Sequence, residues 1–142
     1  MNEQDRAAFL IECRTPTIEE YLNLRQRSGL TPFSRQAAEV GLKGTVFSCV
    51  VVEGGAAVGM GRVIGDGGCF FQITDIAVLP EHQGRGLGKR IMATLMEHVE
   101  KSLPATAYVS LIADVPANKL YELYGFKETA PRSVGMSYVV RK

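Results

Sequence analysis

Apolar residues recur at spacings of three and four from Gly86 to Leu103. Leu87, Ile91, Met92, Leu95, Met96, Val99 and Leu103 line one side, while Lys89, Arg90, Glu97, Glu100 and Lys101 fall largely on the other. That period predicts an amphipathic helix, and Pro104 stops it. Upstream the pattern changes to β-rich runs at Thr45 to Glu53, Ala57 to Ile64 and Cys69 to Leu79. The first two meet at Gly54-Gly55, a pair that tolerates the positive φ of a tight hairpin, and Gly65-Asp66-Gly67-Gly68 makes the next turn. Pro80 ends the series because it cannot donate to a sheet ladder.

The flanks follow the same logic. Ala7 to Cys13 reads as a first strand. Thr15-Pro16-Thr17, with Glu19 and Glu20 behind it, reads as a capped helix start running to about Arg27. Ser28-Gly29-Leu30-Thr31-Pro32 breaks that helix, and Ser34 caps a second one through Leu42. After the long helix, Thr106 to Ala113 is a strand candidate, and Pro116 opens a short helix through Tyr124 that Gly125 ends. Phe126 to Ala130 and Val134 to Val140 read as two closing strands around Pro131-Arg132. The strand-helix-strand unit in the middle implies a right-handed crossover with parallel neighbours, and the hairpins around it are antiparallel. The expected fold is therefore α/β of the α+β type: a mixed, mostly antiparallel twisted sheet of six to seven strands flanked by about four helices. With no repeat, low-complexity tract or linker-like stretch, residues 1–142 read as a single domain.

Composition narrows the function classes. Apolar residues make up 46% of the 142 and charged residues 22%, a globular balance. The formal net charge of +1, with Lys and Arg scattered, gives no reason to expect a nucleic-acid partner. The longest apolar runs, such as Val46 to Val52, are too short to cross a bilayer, and Met1 to Arg6 is polar and acidic rather than signal-like. The reading is a cytoplasmic protein that binds no membrane. Cys13, Cys49 and Cys69 have no C-x-x-C spacing and sit in apolar stretches, and His82 and His98 match no metal-binding helix motif, so neither a disulfide nor a metal is expected.

The candidate chemistry lies where the third β run meets the long helix, in Val78-Leu79-Pro80-Glu81-His82-Gln83-Gly84-Arg85-Gly86-Leu87-Gly88-Lys89. Glycines let a backbone approach a ligand closely, and the unpaired first-turn N–H groups of a helix favour phosphate oxygens. Arg85 and Lys89 add positive charge beside the turn. A glycine turn that only tightens a corner is the plainer reading; the strand-to-helix context favours phosphate binding. The segment has neither G-x-x-x-x-G-K-[ST] nor the G-x-G-x-x-G of a dinucleotide fold.

The run Ile76-Ala77-Val78-x-Pro80-x-x-Gln83-Gly84-x-Gly86-x-Gly88 resembles the Q/R-x-x-G-x-G/A signature of the GNAT acetyltransferase superfamily. Leu120-Tyr121-Glu122-Leu123-Tyr124-Gly125-Phe126 is similar to that superfamily's second landmark, a Tyr four residues before Gly-Phe. The resemblance implies acetyl-CoA as cosubstrate, with no metal. Its pyrophosphate would lie on the backbone amides of Gln83, Gly84, Arg85, Gly86, Leu87, Gly88 and Lys89. The stretch Ile76-Ala77-Val78 would hold the pantetheine arm through main-chain groups at Ile76 and Val78. The Val78 N–H would stabilise the oxyanion, and Tyr121 would be the general acid that protonates the leaving thiolate. Tyr124 could be mistaken for it but can simply pack.

Other assignments are less specific. Asp75 could face the cleft and take a proton from the attacking amine, or it could cap backbone or pair with a cation; Glu53, His82 and Glu122 are weaker candidates for that base. The family often has an Asn seven residues before its Tyr, a position held here by Asp114, so Asn118 is the candidate for contact with the pantetheine arm. Phe33, in the loop between the first two helices, could line an acceptor pocket for a small, aralkyl or alkyl amine, or anchor its loop. The alternatives are acetylation of a protein lysine or N-terminus, and a non-catalytic module that senses acetyl-CoA. The family resemblance also implies a homodimer.

Overall fold

A computed structural model describes residue 3 and residues 8–142. The sequence expectations for Met1 to Arg6, and for Ala7 as the start of a strand, lie outside the described residues. The chain divides into two compact units, Met1–Leu111 and Ile112–Lys142.

The first unit is a sheet in the order β1-β2-β3-β4-β5. Its strands are β1 (Leu10–Glu12), β2 (Thr45–Glu53), β3 (Ala56–Gly65), β4 (Phe70–Val78) and β5 (Tyr108–Ser110). Neighbours are antiparallel except β4 and β5, which are parallel and joined through the long helix. Helices α1 (Ile18–Arg27) and α2 (Arg35–Leu42) lie between β1 and β2 in the chain, and α3 (Leu87–Ser102) between β4 and β5.

Local chemistry places these boundaries. Thr17 accepts from the Glu20 N–H at 3.2 Å while the Glu20 carboxylate accepts from the Thr17 N–H at 2.8 Å, a reciprocal cap that starts α1. Ser34 accepts from the Ala37 N–H at 3.1 Å and starts α2. Helix α3 buries Leu87, Ile91, Met92 and Leu95, the face that the sequence period marks, against β2 and β3. Each such side chain contributes about 1.5–3 kcal/mol by leaving water. That packing depends on Gly61 of β3, where a Cβ would stand 2.5 Å from Ile91 Cγ2, 2.8 Å from Ile76 Cδ1 and 3.0 Å from Leu95 Cδ1. Side chains alternate across a strand, so Arg62 projects from the opposite face. There it meets the Tyr21 ring of α1 and the Gly41 carbonyl of α2. The sheet is thus covered by α3 on one face and by α1 and α2 on the other.

The second unit holds α4 (Asn118–Glu122), a turn through Gly125 and a tail without regular structure. Two sequence expectations need correction here. The segments 126–130 and 134–140 are not strands, so the described residues give five strands rather than six to seven. Val134, Met136, Tyr138, Val139 and Val140 are all exposed. Their alternating, β-branched character expresses a preference for a pleated, half-buried surface, and no neighbouring strand pairs with them to supply one. The apolar stretches around the cysteines, where Cys is commonly a small buried hydrophobe, bury Cys49 alone of the three; Cys13 and Cys69 are exposed.

Candidate active site

Strand β4 is irregular where the chemistry was expected. Met60 pairs with Ala77 and Arg62 with Thr74, so Asp75 and Ile76 together face the single residue Gly61. This is a β-bulge. Asp75 takes its extra-residue conformation at φ 60°, a region that Asp enters more readily than most side chains. Its side chain projects into the layer under α1. One carboxylate oxygen accepts from Arg25 Nη1 at 2.5 Å, the other from Arg62 Nη1 at 2.7 Å, and the Tyr21 hydroxyl donates to both at 3.0 and 3.1 Å. All four residues are buried. Burial, reinforced by the Asp75 charge, pushes the Tyr21 hydroxyl up to about 12, so it stays a donor at neutral pH.

The same layer holds a cleft of about 530 Å³ lined by Tyr21, Phe33, Arg62, Gln72, Thr74 and Asp75 together with small residues of α2. Phe33 and Asp75 are therefore brought together. The Phe33 ring also lies under the Arg25 guanidinium, 4.3 Å from its centroid, and Arg25 donates to the Thr31 carbonyl through Nε and Nη2, which anchors the loop between α1 and α2. Sequence reading missed Tyr21, Arg25 and Arg62. The available signal was a charged residue inside each of two apolar strand runs, Arg62 and Asp75, and an Arg on the buried face of α1, because interior charges need partners.

Beyond the bulge, β4 has β3 along one edge only. Its pairing with β5 stops at Gln72, leaving 73–78 without a strand on that side among the described residues. The Leu79 N–H donates to the Val58 carbonyl at 2.9 Å, and alternation turns the N–H and C=O of Val78 to the open edge. The Val78 carbonyl there accepts from Gln83 Nε2 at 3.0 Å. A 3₁₀ turn over Pro80–His82 leads into the glycine segment. Gly84 and Gly86 have φ of 80° and 77°, and a Cβ at either would meet open space, so backbone conformation rather than crowding requires glycine. Gly86 is the N-cap of α3 and makes no side-chain capping bond. Ala77 and Leu87 are buried, and the Ala77 carbonyl faces Gly59 of β3. Arg85 reaches over the Phe9 ring, 5.9 Å from its centroid.

These features fit the acyl carrier: an open strand edge for an amide-rich arm, then a run of amides at a glycine-capped helix start and nearby cations for a diphosphate. Near the glycine segment, His82 Nε2 lies 3.3 Å from Glu53 Oε1. In the second unit, Glu122 is exposed.

Tyr121 and Asn118 belong to the second unit, three residues apart on α4. Burial and the Asp114 charge raise the Tyr121 hydroxyl above the ordinary tyrosine range, which keeps its proton in place. Asn118 Oδ1 is buried with no partner among the described residues.

Comparison with known proteins gives this geometry its place. Residues 26–136 match the family model of the acetyltransferase (GNAT) domain. Among solved structures, a probable acetyltransferase of methicillin-resistant Staphylococcus aureus, itself of unknown function, is 44% identical with a TM-score of 0.88, covering 93% of this chain and 99% of that one. A GNAT-family protein of Xanthomonas campestris is 27% identical at a TM-score of 0.72, covering 92% and 94%. A GNAT-family acetyltransferase of Streptococcus pneumoniae is 23% identical at 0.76, covering 94% and 99%. No curated protein matches the chain. No helix among the described residues is long and apolar enough to cross a membrane. With the domain match running from within α1 through α4, the chain belongs to the GNAT family of acetyltransferases, whose domains use acetyl-CoA as cosubstrate.

Proposed function

We propose that the protein transfers the acetyl group of acetyl-CoA to the primary amine of a small molecule by direct attack, with Tyr121 as general acid. The observation that carries this reading is the bulge in β4, which sets a bounded cleft on one side of Asp75 and an open strand edge ending in the amides of a glycine-capped helix start on the other. Bound acetyl-CoA supplies a thioester carbonyl. The chain's own groups do the rest. The amides from Gln83 to Lys89 hold the diphosphate, and main-chain groups of Ile76 and Val78 hold the pantetheine arm. The Val78 N–H donates to the carbonyl oxygen as negative charge builds there, a contribution of about 2.7–4 kcal/mol where such a donor has been removed. A neutral amine attacks and the C–S bond breaks; Tyr121 gives its proton to the departing sulfur, the proton shed by nitrogen passes through water to restore the tyrosine, and Asn118, through its Oδ1, accepts from the pantetheine arm.

Asp75 enters as a positioning residue. Both its oxygens already accept from Arg25, Arg62 and Tyr21, which suits orienting two guanidiniums better than taking a proton from the amine. The family match crosses both compact units, which supports reading the chain as one domain. The Phe33 ring and the small residues of α2 in the cleft wall favour a small acceptor with an apolar body.

Thiol release from acetyl-CoA with a panel of small amines and lysine peptides tests the reading. Small amines should be turned over with kcat/KM well above the peptides. Tyr121→Phe should lower kcat for every accepted amine by about 100-fold or more with little change in acetyl-CoA affinity. Tight acetyl-CoA binding without release above background would instead identify a sensing module.

A further inference from the structure

The buried cluster beside the cleft holds two guanidiniums and one carboxylate; Arg62 and Asp75 line the cleft, and Arg25 stands behind them. Arg25 and Arg62 are both buried, at 8% and 5% exposure, and among the described residues they share one carboxylate, that of Asp75. Arg62 is fixed at three points: Nε donates to Thr45 Oγ1 at 3.0 Å, Nη1 to Asp75 at 2.7 Å and Nη2 to the Gly41 carbonyl at 2.9 Å. A guanidinium has five N–H donors, so two of them, one on each terminal nitrogen, are uncommitted in that network. Arg25 is held the same way by Asp75 and the Thr31 carbonyl. Excess charge out of water is costly unless an opposite charge meets it. Of the residues lining the cleft, Asp75 is the one acid, and it is already shared.

We propose that this cleft selects acceptors that carry an anionic group, a carboxylate or a phosphate, at the end remote from the reacting amine. The group is received by the rigidly held Arg62, with Arg25 behind it. The uncommitted donors then find a partner, and the net charge of +1 on the Arg25, Arg62 and Asp75 cluster is offset by the substrate, to zero by a carboxylate and past it by a phosphate. A fork of preset N–H groups suits planar carboxylate or phosphate oxygens. Phe33 and Ile64, which also line the cleft, pack against the connecting carbons. This inference rests on the acyl-transfer reading above and specifies its acceptor.

The test compares n-propylamine, 3-aminopropanoate and 2-aminoethyl phosphate on the full chain by two readouts. One is thiol release from acetyl-CoA; the other is calorimetric binding in the presence of CoA, which needs no turnover. At least one anionic amine should exceed n-propylamine by about tenfold or more in kcat/KM and in affinity. The better of the two arms identifies the anion. Arg62→Gln should abolish the preference through KM, and Arg62→Lys, which keeps the charge without the fork, should retain part of it. Equal or better use and binding of n-propylamine would overturn the proposal, as would an Arg62→Gln protein that still prefers the anion. If Arg62→Gln does not fold, the wild-type panel and Arg62→Lys decide. Anion binding lost in Arg62→Gln, but with no amine turned over, would uphold the anion site and sink the small-amine reaction.

Discussion

The two halves of the site are built from different materials. The proposed cosubstrate half is backbone: glycines, an open strand edge and a helix start whose N-cap is glycine, contiguous in the chain. The proposed acceptor half is side chain: Tyr21 and Arg25 of α1, Arg62 of β3 and Asp75 of β4, all buried and drawn from three elements. The first presents the same groups to any molecule with the same diphosphate arm. The second depends on the shape and charge of one wall, which is the part that can differ between family members sharing a cosubstrate.

The strongest test of that contrast is Asp75→Asn. It leaves two buried guanidiniums with no carboxylate, and stability should fall by about 3–5 kcal/mol in urea unfolding. A loss below 1 kcal/mol would mean the ionic wall is not structural. Gly61→Ala comes next, because the added methyl meets Ile91 and Ile76 inside a closed interface; we expect about 1–3 kcal/mol of destabilisation. Gly86→Ala should behave differently. There is open space around it, so the cost is the left-handed backbone alone, about 1–2 kcal/mol, and it should appear mainly as weaker acetyl-CoA binding by calorimetry with amine KM little changed. If Gly86→Ala raised the amine KM and spared acetyl-CoA, the division between the halves would fail.

The smallest effect lies outside both halves and serves as a control. Arg14 holds the Glu20 carboxyl down to about 2 from an ordinary 4.5. A lowered carboxyl pKa contributes stability that is present above 4.5 and is lost as pH falls through about 2. For a pair this accessible to water the contribution is about 0.2–1 kcal/mol, and Glu20→Gln should flatten that part of the stability-pH curve while leaving both affinities unchanged at neutral pH.

The same contrast explains what the sequence disclosed. Thr17 and Ser34 cap the helices they were expected to cap, and the apolar face of α3 is the face that packs, because each depends on neighbours within four residues. The glycine turn was legible for the same reason. Tyr21 and Asp75 lie 54 residues apart in the chain, and nothing local in either announces the other. The failed expectation of strands at 126–130 and 134–140 has the same root: alternation records a preference, whereas a strand needs a neighbour.

Gly61 faces the bulge across the ladder and underlies Ile91 of α3, with nothing between but a hydrogen atom. Sheet and long helix thus share a spacer of no thickness, and the first turn of α3 and the Asp75 bulge, the places proposed for the diphosphate and the acceptor, are tied through one contact. Redesigning this protein for a new acceptor has to keep the Arg25 contact of Phe33 and the Gly41 carbonyl that fixes Arg62; a change at residue 61 would shift α3 and the bulge together.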